Sequence, residues 1–344
     1  MLRAVRESTL MRYLPYHRLD GRPNVVVDGS PTLNTILSLT HWPHLPAPAD
    51  LARDLSAQMA FAYLGTGMEL HGSATTVTNN HFDQDGLVGL FALVNPEEAL
   101  PRRGLLEGLA EAGDFATFRD RTAVRLAMTV AAYADQQRSP LHLEDDPSER
   151  VAQLYSELFG LLPELCDHPD RSRPLWAEDD DVLVRSEQLI AAGAIRITEL
   201  PDVDLAIVDV PERVQLPDAY RFAHLRDPGP HPSAVANATD RFAVLTRQGG
   251  QYRFYYRYES WVAYRSRRPR PRRDLRRAAQ ELTSCEPGPV TWTAQPSGAL
   301  EPVLTTDDGA ASDLEPDRVL EVIVRHLALG PPDWDPYSAS PRDR

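Results

Sequence analysis

The chain has 344 residues, a net charge of −14, 42% apolar and 25% charged residues, a composition ordinary for a globular protein. That length exceeds what one core usually fills, so two domains are expected. The acidic balance argues against general nucleic-acid affinity, which needs a basic footprint, and leaves at most a short oligonucleotide as a nucleic-acid partner. No apolar run reaches the roughly 18–20 residues of a membrane helix. The opening segment MLRAVRESTLMRYLPYHRLDG lacks the apolar centre of a secretory signal, and Met11 offers an alternative start. Cys166 and Cys285 are the only cysteines, which argues against a disulfide framework and points to a reducing cytoplasm. All 36 basic side chains are Arg. Schiff-base and Lys general-base chemistry are therefore excluded, and any phosphate must be gripped by guanidinium groups.

In chain order, Asn24–Val27 reads as a short buried strand closed by the turn Asp28-Gly29-Ser30-Pro31. Thr32–Leu39 has apolar spacing compatible with a helix, and 41–48 is a proline-punctuated loop. Ala49–Tyr63 is predicted helical, with Leu51, Leu55, Met59 and Ala62 near one face. A strand at Thr75–Asn80 completes the strand–helix–strand rhythm of a parallel sheet. In Asn95-Pro96-Glu97-Glu98 an Asn cap, a first-turn Pro and two acids mark a helix start. Helices are predicted over Leu105–Ala112, stopping at Gly113-Asp114-Phe115, over Thr122–Tyr133 and over Ser148–Leu162. The polar, proline-broken stretch Pro163–Asp181 reads as a boundary. Beyond it, Ala194–Thr198, Val203–Val210, Phe242–Leu245 and Tyr252–Val262 read as strands, the last two joined at Gly249-Gly250. Helices at Arg273–Leu282 and Glu315–Leu327 follow. These elements predict an α/β fold: an N-terminal domain over 1–165 with a mostly parallel sheet and flanking helices, and a linker over 166–185. A smaller α+β domain over 186–330 and a disordered tail over 331–344 complete it.

The most informative stretch is His81-Phe82-Asp83-Gln84-Asp85-Gly86, between a β-prone run and an apolar segment of helix length. In open α/β sheets ligands collect beyond the strand ends, where this segment would lie. Imidazole and carboxylate oxygen are the donor set of Mn²⁺, Fe²⁺ or Zn²⁺. Two other readings compete. An EF-hand loop would require an acid where His81 stands and Glu where Ala92 stands. A purely structural turn would use the same acids and Gly to cap and bend the chain.

The pattern H-x-D-x-D-G between a short strand and an apolar helix resembles the first motif of the DHH phosphoesterase superfamily, manganese-dependent hydrolases of phosphodiesters, nucleotides or pyrophosphate. The resemblance implies an N-terminal α/β domain that carries the metals and a smaller C-terminal domain that grips substrate phosphate. It implies that His81 and Asp83 ligate one metal and Asp85 a second, with Asp114 as the bridging carboxylate. The resemblance covers about a dozen residues. The sequence Asp-His-His that names the superfamily is absent, its nearest string being Cys166-Asp167-His168-Pro169.

Eight arginines lie between Arg265 and Arg277. They read either as a solvated loop or as a phosphate grip built on Arg267, Arg268 and Arg272. Tyr255, Tyr256, Tyr258 and Trp261 would stack on bases or form core. Asp28 reads more readily as a turn cap than as a ligand. His41 and His44 are discounted as a helical ligand pair because Pro43 separates them, and Asp204 and Asp209 remain weaker ligand candidates. No Walker or Rossmann phosphate loop is present. The expectation is a metal-dependent phosphohydrolase acting on a nucleotide or other small phosphorylated substrate through a metal-activated water. Mn²⁺ or another divalent cation would sit on His81, Asp83, Asp85 and Asp114, with Asn80 or His168 assisting. The rival expectation is a non-catalytic nucleotide-binding or interaction protein on a degenerate scaffold of the same kind.

Overall fold

A computed structural model describes residues 11–45, 47–66, 70–221 and 225–338. It is of mixed α/β class, with one parallel sheet flanked by helices and one mixed sheet. The chain divides into two units. The first is Met1–Asp181 with Tyr220–Arg226, and the second is Val182–Ala219 with Asp227–Arg344.

The first unit is built on strands β1 (Arg12–Tyr13), β2 (Asn24–Val27), β3 (Thr35–Leu39) and, after helix α1 (Ser56–Thr66), β4 (Thr76–Thr78). They lie in the order β1-β4-β2-β3, all parallel. β2 is buried along its whole length, as a strand covered on both faces must be, and its Asn-Val-Val-Val composition suits that place. Helices α2 (Gln84–Val94), α3 (Pro96–Ala99), α4 (Arg103–Phe115), α5 (Arg121–Ala134) and α6 (Pro147–Asp167) follow, and then α7 (Arg173–Ala191), which belongs to the first unit up to Asp181 and to the second from Val182. α2 is buried from Gln84 to Leu93, so it is the central helix, hydrophobic all round because other helices enclose it.

Three expectations are corrected here. Thr32–Leu39 is not a helix: Thr35–Leu39 forms β3, paired in parallel with β2. Leu37 and Leu39 point inward while Ile36 is half exposed, a period of two that so short an apolar run does not distinguish from a helical one. Asp114 does not follow a helix but lies in the last turn of α4. Residues 166–185, expected as a linker, are the end of α6, a 3-10 turn at Pro169–Ser172 and most of α7, with Pro163 accommodated inside α6.

The second unit holds β5 (Arg196–Leu200), β6 (Leu205–Asp209) and α8 (Pro232–Ala238), while the ribbon of β7 (Ala219–Arg221) with β8 (Leu225–Asp227), which precedes α8 in the chain, belongs to the first unit from Tyr220 to Arg226. Strands β9 (Ala243–Gln248) and β10 (Gln251–Tyr256) meet at Gly249 and Gly250, whose φ of 54° and 80° suit a two-residue hairpin turn. Then come β11 (Arg272–Arg273), α9 (Arg276–Cys285), β12 (Trp292–Ala294), β13 (Val303–Thr306), α10 (Pro316–Leu329) and β14 (Pro332–Trp334). The main sheet has the order β12-β13-β10-β9-β6-β5, antiparallel except where β6 runs parallel to β9. One of its faces packs Leu245 and Phe254 against Leu282 of α9 and Val319 and Ile323 of α10. The expected disordered tail is corrected for Pro332–Trp334, which pairs with β11. Residues 339–344 lie outside the described residues.

Candidate metal centre

Parallel pairing brings three strand ends together. Val27 lies opposite Leu39, and Val26 opposite Thr78, so Asp28, His41 and His81 all follow the carboxyl ends of neighbouring strands. Asp28 leaves β2 with φ of 51°, a left-handed conformation that Asp tolerates better than most residues. Its N–H donates to the Leu39 carbonyl at 3.0 Å. The amino ends of α1 and α2 point at the same place. Both oxygens of Asp85 accept from the first turn of α1, from Ser56 N at 2.7 Å and Ala57 N at 2.8 Å. Asp83 caps α2, accepting from Gly86 N at 2.8 Å.

The result is two donor sets that share Asp28. Its Oδ1 lies 3.4 Å from His41 Nε2, and its Oδ2 lies 3.6 Å from His81 Nε2. Asp28, His81 and Asp83 form one set and Asp28, His41 and Asp85 the other. In each set the ligand atoms lie within 4.8 Å of one another. Asp114 Oδ2 is 3.5 Å from His41 Nε2, which extends the inner set. The His41 and Asp85 side chains are fully buried, whereas His81 and Asp83 remain 32% and 23% exposed. The cluster therefore has a closed inner half and an outer half open to solvent.

Hydrogen bonds orient the donors. His41 Nδ1 lies 2.5 Å from the Asp54 carbonyl. A carbonyl only accepts, so Nδ1 carries the proton and, in the neutral ring, Nε2 presents its lone pair to the carboxylates. The Ser56 hydroxyl donates to Asp28 Oδ1 at 2.8 Å, while Asp28 Oδ2 has no hydrogen-bond donor among the described residues. Tyr155 of α6 donates its hydroxyl to the His81 carbonyl at 2.8 Å. Arg221 donates to the carbonyls of Gly113 at 2.8 Å and Asp114 at 2.6 Å, fixing the end of α4 as a cation at a helix carboxyl terminus does.

Charge explains the titration behaviour. Burial, reinforced by the charges of Asp83, Asp85 and Asp114, pushes Asp28 well above the usual carboxylate range. Burial also raises Asp85, against the lowering pull of His41 and two helix N–H groups. Burial works to raise Asp83 too, but the His81 charge and hydrogen bond outweigh it and hold the carboxyl low. For His81, burial disfavours the imidazolium, yet Asp83 and Asp85 more than offset it and the pKa rises. Several buried carboxylates around two imidazoles are a costly arrangement without added positive charge. A divalent cation on each donor set would supply it, and the N/O donors fit such an ion.

Other expected residues fall elsewhere. Asp28, and not Asp114, belongs to both donor sets; Asp114 lies 3.5 Å from His41, at the end of α4. The discounted His41 and Asp28, read as a turn cap, are brought together by the parallel β2–β3 pairing, and both fall in a group that could hold a metal ion. Asn80, expected to assist, is exposed, and its Oδ1 accepts from Ser30 N at 2.8 Å and anchors the turn after Asp28. His168 is exposed at the carboxyl end of α6, about 20 Å along that helix from Tyr155 at 1.5 Å per residue.

The three arginines expected to grip phosphate, all in the second unit, each have contacts within the protein. Arg272 is fully buried, donating to Ser260 Oγ and to the carbonyls of Arg257, Ser297, Ala299 and Leu300 at 2.6–3.1 Å. Arg267 pairs with Asp204 at 3.0 Å and covers the Phe242 ring. Arg268 lies over the Tyr337 ring at 4.5 Å. Asp204 and Asp209 are held by arginines. Tyr256 and Tyr258 are core residues, and Trp261 stacks between Tyr258 and Trp334.

Among the described residues no helix is long and apolar enough to cross a membrane. No curated protein and no solved structure matches the chain. A family model does match, over residues 9–338, and the chain belongs to that family, DUF6687, a family of unknown function.

Proposed function

We propose that this chain is a hydrolase of small phosphorylated compounds that works with divalent cations, Mn²⁺ being the best-suited candidate. The observation that carries the reading is the pair of donor sets sharing Asp28. Two cations held a few ångströms apart polarise phosphate oxygens and lower the pKa of bound water. In this reading His81, Asp83 and Asp28 hold the outer ion, and His41, Asp85, Asp28 and Asp114 the inner one. Substrate approaches over His81 and Asp83, the exposed half, where Trp42 lies 5.2 Å from the His81 ring. His41 is kept in one tautomer by Asp54, so its donor nitrogen needs no reorganisation when an ion arrives. The two free cysteines suit a reducing, cytoplasmic setting.

One observation favours a non-catalytic binding protein instead: both Asp85 oxygens already serve the amino end of α1. A panel of phosphomonoesters, phosphodiesters and nucleotides with Mn²⁺, run beside Asp28→Asn, separates the two. Turnover lost in the variant supports hydrolysis at this centre. Equal turnover by both proteins, or none by either with metal bound, removes it.

A further inference from the structure

A cavity of about 160 Å³ lies wholly inside the second unit, between the turn after β5, the start of β9 and the strand β11. That is room for about five waters at 30 Å³ each. Its polar lining combines Arg270, Arg273, Tyr256 and Ser260 with the acids Asp202 and Asp204. Arg273 and Arg270 flank Pro271 on one wall, and Leu327 and Ala328 of α10 make an apolar wall.

Two groups there have hydrogen-bonding capacity to spare. The Arg273 side chain has no hydrogen bond, ion pair or ring contact among the described residues, although it is only partly exposed and its backbone is fixed in β11. Tyr256 is 7% exposed and its hydroxyl accepts from Arg273 N at 3.0 Å, but the O–H proton has no acceptor among the described residues. Arg270 spends one N–H on the Asp202 carbonyl and keeps the rest of its fork. Of the two acids in the lining, Asp204 is taken by Arg267 at 3.0 Å and Arg241 at 3.6 Å, and Asp202 is exposed to solvent. The Ser260 hydroxyl is likewise engaged, accepting from Arg272 and donating to the Arg257 carbonyl.

A buried phenol with a donor to spare and a guanidinium without a partner, both lining one partly open cavity, suit an acceptor with several oxygens. We propose that this cavity is a binding site for a small oxyanion, a phosphate or carboxylate group, with Arg273 as its main contact, Tyr256 as a neutral donor and Arg270 at its mouth. Guanidinium forks match both oxyanions geometrically. The proposal does not depend on the metal-centre reading, since no residue of that centre takes part.

Calorimetric titration of the full chain with inorganic phosphate, and separately with acetate, tests it. Ionic strength is held constant, and EDTA is present so that the His and Asp cluster carries no metal. Saturable binding of one equivalent of either anion is expected, and the stronger of the two identifies the group. Arg273→Gln should weaken it at least about tenfold, the loss of a charge-assisted bond. Tyr256→Phe should weaken it less, and Asp28→Asn should leave it unchanged. The absence of saturable binding of either anion overturns the proposal. So does full-strength binding by folded Arg273→Gln, or binding abolished by Asp28→Asn.

Discussion

Asp28 stands between two imidazoles, with Oδ1 3.4 Å from His41 Nε2 and Oδ2 3.6 Å from His81 Nε2. No other residue belongs to both donor sets. Bound metal should therefore respond unequally to single substitutions. His41→Ala should remove the inner ion and His81→Ala the outer one, each lowering Mn²⁺ content by about one equivalent. Asp28→Asn should weaken both, and elemental analysis after desalting reads the difference. Equal content in Asp28→Asn and wild type would contradict a shared ligand.

The same carboxylates set a pH dependence in metal-free protein. Asp28 and Asp85 have folded pKa values raised chiefly by burial, so the folded state holds protons that the unfolded chain releases. Their contribution is fully present below the unfolded carboxylate pKa of about 3.9 and is lost as pH rises through the raised folded values. Asp83 is lowered and acts oppositely: its contribution is present above about pH 3.9 and disappears as pH falls through its lower folded value. Chelated protein should thus lose thermal stability between mildly acidic and neutral pH. Mn²⁺ should reverse that loss, because it binds the deprotonated carboxylates. Melting curves across pH with EDTA or Mn²⁺ check this, and Asp28→Asn should flatten the EDTA profile. A profile that rises towards neutrality without metal would refute the assignment.

The parallel sheet and most helices of the first unit were legible from apolar periodicity, and the His81–Gly86 turn from its position between strand and helix. The partners of that turn were not. Asp28 and His41 are separated by thirteen positions, and they meet only because β3 is a strand whose register sets Leu39 against Val27. With Thr32–Leu39 as a helix, His41 has no reason to approach Asp28. Asp114 was visible as an acid near a helix end, but which side of the cluster it faces depends on how α4 packs against α2. The arginine segment misled for a related reason. Composition shows eight cations, whereas the fold gives Arg272 a set of buried carbonyls and Arg267 an acid and a ring.

Close approach at two glycines gives a prediction about the scaffold of the centre. A Cβ on Gly29, next to Asp28, would sit 2.5 Å from Asn80 Oδ1 and 2.6 Å from Asn79 Oδ1. On Gly86 it would meet Asn79 Nδ2 and come 2.6 Å from the Tyr155 hydroxyl. These neighbours are buried or hydrogen-bonded and have little room to move. Gly29→Ala and Gly86→Ala should each cost about 1–3 kcal/mol, the range for overpacking. Gly160→Ala, with open space around it, should be neutral or mildly stabilising through helix propensity. Urea melts of the three variants give the comparison.

Arg272 and Arg268 lie four positions apart in the same arginine run, yet their surroundings call for opposite outcomes. Arg272 donates to four carbonyls and one hydroxyl from a fully buried position. Removing its guanidinium strands those acceptors away from water, at about 1–3 kcal/mol for each that stays unsatisfied. Even with partial relaxation, Arg272→Met should cost about 3–5 kcal/mol, a large share of the 5–15 kcal/mol that stabilises a typical domain. Arg272→Lys should recover little of it, because an ammonium has three donors and cannot reproduce the planar fork. Arg268 is exposed and touches the Tyr337 ring, a contact worth about 0.5–1 kcal/mol at such a site. Arg268→Gln should therefore melt within about 1 kcal/mol of wild type. Wild-type stability in Arg272→Met would show that its carbonyl partners find water or one another, and the run would again be open to a role in ligand binding.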